Sequence, residues 1–475
     1  MPNFSTILPE VYMLTMACVV LVVDLFLSPR QKGVNYLLTL ATLLGAILVT
    51  LMSRDNSVVL AFGDSFVRDP MADILKVFIF AIMLAVMLYS QRYIKDRDMF
   101  HGEFFVLSLF AVLGMQIMVS AYSFLTLYLG LELLSLSLYA LVAFQRDTSR
   151  ASEAAMKYFV LGAIASGMLL YGISILYGLT GSLSFIDVHN QLVRMQGQVD
   201  VSLIFGLVFV IVGIAFKFGA VPFHMWVPDV YHGAPTAVTM IISSASKIAA
   251  FAMIMRLLIE ALGSLQASWE DILTVLAVLS IGAGNLIAIA QSNIKRMLAY
   301  STIAHVGFIL LGIMTGSRDG YVASMFYTLT YALMSLGAFG VIAMLSHREF
   351  EAENLEDFKG LNERNPWLAF LAMLLIFSMA GVPPLVGFYA KLNILQAVVQ
   401  HGDIWLAVYA VLMSVVGAYY YLRVVKMMYF DKPTVEYAPS SGLGFNIALS
   451  VNGLLMVALG IFPGALLSLC IYAIR

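Results

Sequence analysis

Apolar runs of eighteen or more residues recur along the chain from end to end, separated by short polar interruptions. About 20 helical residues span the ~30 Å hydrocarbon core of a bilayer, so this pattern predicts membrane helices. Fourteen are expected: α1 (7–27), α2 (34–52), α3 (70–93), α4 (102–120), α5 (122–145), α6 (151–180), α7 (201–231), α8 (234–261), α9 (269–291), α10 (295–315), α11 (319–346), α12 (366–400), α13 (403–430) and α14 (445–471). The longest loop, 347–365, is rich in charge and reads as solvated. The expected fold is an all-α polytopic membrane protein, and α1 reads as a retained helix, not a cleaved leader.

Two of these segments are too long for one straight crossing. Both carry breakers: "FKFGAVPFH" in α7 holds Gly219 and Pro222, and "MAGVPPLVGFYAK" in α12 holds Gly381, Pro383 and Pro384. Glycine and proline interrupt the helical ladder, and backbone freed at membrane depth must face protein or water. Dividing the chain into α4–α8 and α9–α13 puts both breaks on the fourth helix of a five-helix unit. An odd number of crossings sets the units in opposite senses, as in the inverted repeats of transporters. The expected organisation is therefore an N-terminal three-helix segment (1–98), a first five-helix unit (99–262), a second, inverted unit (263–432) and a C-terminal helix (433–475).

Composition agrees: 61% of residues are hydrophobic and 11% charged, against about 25% charged in a soluble domain. A formal net charge of −2 gives no reason to expect a nucleic-acid partner. Lys and Arg are unevenly placed. Sixteen, from Arg30 to Lys432, fall on the face opposite the N-terminus, and six (Arg54, Arg68, Arg194, Arg256, Arg318 and Arg475) fall on the N-terminal face. The positive-inside rule then puts both termini away from the cytoplasm. Trp269, Trp367 and Trp405 read as interface anchors, Glu10 and Asp24 as interfacial groups, and Cys18 and Cys470 as small core residues. The glycines of α6 and α9 read as points of close helix packing.

Four basic residues remain. Lys76 is close enough to a helix end to snorkel. Lys217, Lys247 and Lys391 are not, and they share the central layer with Glu132 and His305. A charge at a helix centre costs about 2.5–3.5 kcal/mol on insertion scales. One reading is structural: a Glu–Lys pair fixes packing, and the other lysines cap broken backbone. The other is a proton relay, because burial brings lysine and glutamate toward conditions where both protonation states are accessible. His224, inside the α7 break, either carries protons or satisfies freed backbone. There is no P-loop, dinucleotide fingerprint or cysteine cluster, and the spacing of His224, His232 and His305 does not favour haem.

Three stretches carry a resemblance: "LGLELLSLSLYALVAF", "FKFGAVPFHMWVPDVYHGAPTAVTMIISSASKIAAF" and "QSNIKRMLAYSTIAHVGFILLG". They resemble the antiporter-like subunits of respiratory NADH:quinone oxidoreductase (complex I) and related Mrp-type cation/proton antiporter subunits, over roughly α4–α13. The chain looks like the subunit class that ends after its fourteenth helix and has lysine, not glutamate, in its twelfth. All fourteen helices are present, which fits a bacterial inner membrane. By resemblance, Glu132, Lys217, Lys247 and Lys391 match the family's pathway residues, and His224 and His305 match motif histidines. The resemblance implies proton translocation driven by quinone reduction elsewhere in the complex. No redox cofactor is then expected in this chain, and quinone, NADH, FMN and iron–sulfur clusters belong to other subunits. The implied partners are a neighbouring antiporter-like subunit, small membrane subunits and lipid. A stand-alone Na⁺/H⁺ exchanger is the competing transporter reading, although Glu132 is the only carboxylate expected at that depth. A structural scaffold is the third.

Overall fold

The computed structural model describes residues 4–54, 57–195, 201–348, 350–433 and 442–474, so Arg475 lies outside the described residues. Among the described residues, thirteen helices are long and apolar enough to cross a membrane on their own. The fourteenth crossing is α12, whose two pieces, Pro366–Ala380 and Val386–His401, are each too short alone. The unbroken crossings are α1 Leu8–Phe26, α2 Gly33–Met52, α3 Pro70–Asp96, α4 Gly102–Ser120, α5 Phe124–Val142, α6 Ser149–Thr180, α9 Gln266–Ile289, α10 Ile294–Met314, α11 Arg318–Leu345 and α13 Ile404–Phe430.

Local chemistry sets the ends. Asp69 starts α3 by accepting from the Ala72 N–H at 2.7 Å, with Pro70 in the first turn, where a missing N–H costs nothing. Ser123, Asn293, Ser317 and Asn365 cap α5, α10, α11 and α12 in the same way. Gly181 closes α6 in the left-handed region.

Four features depart from the sequence reading. The α8 segment divides at Ser244 into Thr236–Ser243 and Ala245–Ile254, then ends in a π turn, Met255–Ala261. The α14 segment divides near Pro463 into Leu443–Ile461 and Gly464–Ala473. An amphipathic helix, Phe185–Arg194, follows α6 and buries Phe185, Val188 and Leu192, packing on the π turn that ends α8 and on α6. A short hairpin, β1 (Val59–Ala61) and β2 (Phe66–Arg68), links α2 to α3.

The segments α8, α10 and α11 form the buried centre, while α1, α6, α13 and α14 keep most of their surface outward. The tightest pairings join α4 to α5 and α9 to α10. Glycines permit both. A Cβ on Gly114 would lie 2.5 Å from the Leu134 backbone nitrogen, and one on Gly284 would lie 2.6 Å from that of Ala304. The same pairing thus opens each five-helix unit.

Several single-residue readings are corrected. Lys76 does not snorkel: it is fully buried and pairs with Glu10 at 2.6 Å, and Glu10 is buried as well. Arg256 is enclosed, bound to Asp69 at 2.7 Å, to Glu260 at 2.5 Å and to the Val119 carbonyl at 3.0 Å. Trp269 is buried, unlike the exposed Trp367 and Trp405, because its indole N–H reaches the Leu262 carbonyl. Cys18 lies on the outer surface of α1, and only Cys470 is in the core. The loop after α11 is not merely solvated: Glu351 and Glu353 tie it to four helices.

Candidate functional site

The site grows out of two broken helices that end alike. Segment α7 stops at Phe218 and resumes at Trp226–Gly233. Gly219 has φ +76° and Gly381 has φ +87°, left-handed values that favour glycine. The Ala220 N–H reaches the Ala215 carbonyl at 2.8 Å, and Gly219 reaches Phe216 at 3.0 Å. In α12 the Val382 N–H reaches Phe377 at 3.0 Å, and Gly381 reaches Ser378 at 3.0 Å. Both ends are Schellman motifs.

In each motif the C-cap carbonyl is left over, and in each a lysine takes it. Lys247 Nζ donates to Phe218 O at 2.8 Å, and Lys391 Nζ donates to Ala380 O at 2.9 Å. A helix C-terminus carries partial negative charge, so an ammonium there gains both a hydrogen bond and a favourable dipole. Each lysine also lies over an aromatic ring: Lys247 is 5.4 Å from Trp226, and Lys391 is 5.3 Å from Phe308. The breaks are therefore closed turns with cationic caps, not openings beside a loose lysine.

Lys217 is different. It lies one residue before the α7 C-cap and donates to Ser135 Oγ on α5 at 3.1 Å. Glu132, one turn earlier on α5, accepts from Ser166 of α6, whose hydroxyl also lies 3.1 Å from Tyr128 OH. Glu132, Ser135, Ser166 and Lys217 line one cavity of about 20 Å³. That is room for about one water, with polar partners on several sides. Among the described residues no direct ion pair joins Glu132 to Lys217. Lys217 lies within electrostatic reach of both Glu132 and Lys247.

His305 occupies the second unit. Its Nδ1 is 2.7 Å from Tyr327 OH and its Nε2 is 3.0 Å from Tyr421 OH, which in turn is 2.5 Å from Ser301 Oγ. Tyr331 lies beside the imidazole, at 5.0 Å between ring centres, and donates to Thr302 at 2.7 Å. His305 also lies within electrostatic reach of Lys391. The five central groups thus form two clusters, Glu132–Lys217–Lys247 and His305–Lys391. Trp226, beside Lys247, and Tyr231 have ring centres 6.5 Å apart, and the buried Tyr231 side chain lies within reach of Thr302 and Tyr331 next to His305. His224 joins neither cluster. It sits in the α7 break beside the exposed Met225, within hydrogen-bonding reach of the Pro222 backbone.

Sequence reading missed the hydroxyls: Ser135, Ser166, Tyr327 and Tyr421 give no spacing signal, because tyrosine and serine are ordinary in apolar helices. No group of three His, Cys, Asp or Glu among the described residues is arranged to hold a metal.

A membrane protein with glycine-broken helices and lysines at their ends matches a known family model. The description is NADH:quinone oxidoreductase/Mrp antiporter, and residues 121–417 match, well over half of the chain. This chain belongs to that family. Similar relatives include the NADH-quinone oxidoreductase subunit N of Thioalkalivibrio sulfidiphilus, 60% identical over 100% of this chain and 98% of the relative. The subunit N of Nitrosomonas europaea is 53% identical over 100% and 98%. Among solved structures, a chain of respiratory complex I from Thermus thermophilus matches at 31% identity and a TM-score of 0.83, covering 97% of this chain and 99% of that one. An Mrp complex chain from Dietzia, at 22% identity and a TM-score of 0.87, shares the fold. The family match runs from α5 into α13, so α1–α4, with the Glu10–Lys76 pair, lie outside the matched stretch.

Proposed function

We propose that this chain is a proton-translocating subunit in the membrane arm of an NADH:quinone oxidoreductase, working in a bacterial inner membrane. The names of full-length relatives and the complex I structural match support the assignment. The observation that carries the mechanism is the pairing of Glu132 and Lys217 on one water-sized cavity in the membrane interior, with Lys247 within electrostatic reach of Lys217. Loading is a proton's arrival on Glu132 or Lys217 through that cavity. A charge on Lys217 repels the ammonium of Lys247, and this coupling moves charge laterally. The Tyr231, Tyr331 and His305 hydroxyl and imidazole groups continue toward Lys391. The redox chemistry belongs to other subunits of the complex, and this chain supplies the proton-holding groups.

The basic face is read as cytoplasmic, with both termini on the periplasmic side. The α4–α8 and α9–α13 units are read as an inverted pair, supported by their matching Schellman breaks and glycine-paired helices. The neighbours are other membrane-arm subunits and lipid. Mrp-type exchange is the second reading, favoured by the shared family model and the fold likeness but not by the names of the full-length relatives.

The test is proton uptake per electron in intact complex reconstituted into vesicles. Glu132→Gln and Lys217→Ala should lower the ratio while quinone reduction by NADH continues. An unchanged ratio in both overturns the proposal.

A further inference from the structure

We propose that a groove between α3 and α14 is a binding site for one anionic phospholipid, with its acyl chains against the apolar wall and its phosphate at the basic face. Two cavities carry the inference. The first, about 670 Å³, runs between α3, α11 and α14 from Phe78 to Leu88. Ten residues of helical rise make that about 15 Å, half of the ~30 Å hydrocarbon core and so the depth of one leaflet. Its lining is apolar apart from the Tyr89 and Asn452 side chains, which bond each other at 3.2 Å. The second cavity, about 410 Å³, shares Leu88 and Gly444 with the first and is lined by Gln91, Arg92, Lys95 and Asp96.

The two therefore make one groove with an apolar shaft and a polar mouth. The mouth lies at the end of α3 on the face where Lys and Arg concentrate. Arg92 and Lys95 bring two positive charges, and Asp96, 3.5 Å from Arg92, brings one negative. Lys95 also lies 4.8 Å from the Phe100 ring centre. Among the described residues that line it, the mouth carries a net positive charge, which suits a phosphate of net charge −1. A zwitterionic lipid lacks that complement. A soluble anion would not use the apolar shaft, and an apolar helix would not use the mouth.

Gly444 supplies a clean second test. A Cβ built there meets nothing within 4 Å among the described residues, so the neck of the groove has room for a side chain at this position. The experiment uses the intact complex, delipidated in detergent and exposed separately to phosphatidylglycerol and phosphatidylcholine. Native mass spectrometry then counts lipids on this chain. The wild type should retain one phosphatidylglycerol and no phosphatidylcholine. Arg92→Gln with Lys95→Gln should cut retention about tenfold or more, since each cation near a membrane surface contributes ~1 kcal/mol, roughly a fivefold factor. Gly444→Phe should abolish retention while the complex stays assembled. Undiminished phosphatidylglycerol in both variants overturns the proposal. So does equal retention of phosphatidylcholine, or a neighbouring subunit's helix filling the groove in a structure of the complex.

Discussion

Lys247 Nζ lies 2.8 Å from the carbonyl oxygen of Phe218, and this contact joins two roles that sequence reading keeps apart. As a structural element, it caps a broken helix. As a titratable group, it sits within reach of Lys217 and, through it, of Glu132. Lys391 repeats the contact at Ala380, so a change of charge on either lysine also changes how its break is held.

Arginine separates the two roles. Lys247→Arg and Lys391→Arg keep a permanent positive donor near the C-cap, but arginine does not release its proton. The assembled variants should keep most of their thermal stability and lose proton uptake per electron. Lys247→Met should lose both, with a stability cost of about 1.5–3 kcal/mol for a lost charged hydrogen bond. Thermal melts and vesicle proton-uptake assays on the same preparations check this.

Ser135 holds Lys217 in the water-sized cavity. Ser135→Ala removes the acceptor and enlarges the cavity, leaving the ammonium without that partner. Proton uptake should slow, but less than in Glu132→Gln, because a water can replace the hydroxyl. A larger defect in Ser135→Ala than in Glu132→Gln would contradict the assigned roles.

The glycines at the breaks are predicted to be intolerant of substitution for different reasons. Gly219→Ala forces a left-handed alanine, costing about 1–2 kcal/mol, and its Cβ would lie 2.5 Å from Val227 Cγ2. Gly381→Ala carries the same backbone cost, but its Cβ meets the Lys391 side chain at 3.0 Å and pushes the ammonium off Ala380. Gly219→Ala should chiefly lower stability, whereas Gly381→Ala should also impair proton uptake. Melting curves and uptake assays distinguish them.

Arg256 is held by two carboxylates and a carbonyl with no exposure. Arg256→Ala leaves Asp69 and Glu260 facing each other and should cost about 3–5 kcal/mol. Arg256→Ala with Asp69→Ala should recover part of that loss. Assembly yield and melting temperature measure both variants.

Outside the membrane, the His232 and Arg150 side chains hold the Glu353 carboxyl down to about 2 from an ordinary 4.5. A depressed folded pKa stabilises the fold above the unfolded pKa, and that stability is lost as pH falls toward the folded value. The melting-temperature gap between wild type and Glu353→Gln should be full at pH 6 and narrow as pH drops below 4.5. A gap constant from pH 6 to pH 3.5 would count against this anchor.

Hydropathy alone marks the crossings, because spanning hydrocarbon demands a long apolar helix whatever it packs against. It also marks the two long broken segments, since Gly219, Pro222, Gly381, Pro383 and Pro384 act through the backbone, and it isolates the four deep ionisable residues and His305 by their cost. Partners are another matter. Lys76 looked able to reach water, and Arg256 looked like a loop-end cation. Their burial depends on α1 and α3 meeting and on Asp69 arriving beside α8, contacts between residues far apart in sequence. The Ser135 and Tyr421 hydroxyls carry no local signal for the same reason. One sequence thus determines which groups must be housed inside the membrane; tertiary packing decides which carbonyl, hydroxyl or carboxylate houses each, because hydrogen bonds and charge pairing act over a few ångströms of space and not along the chain.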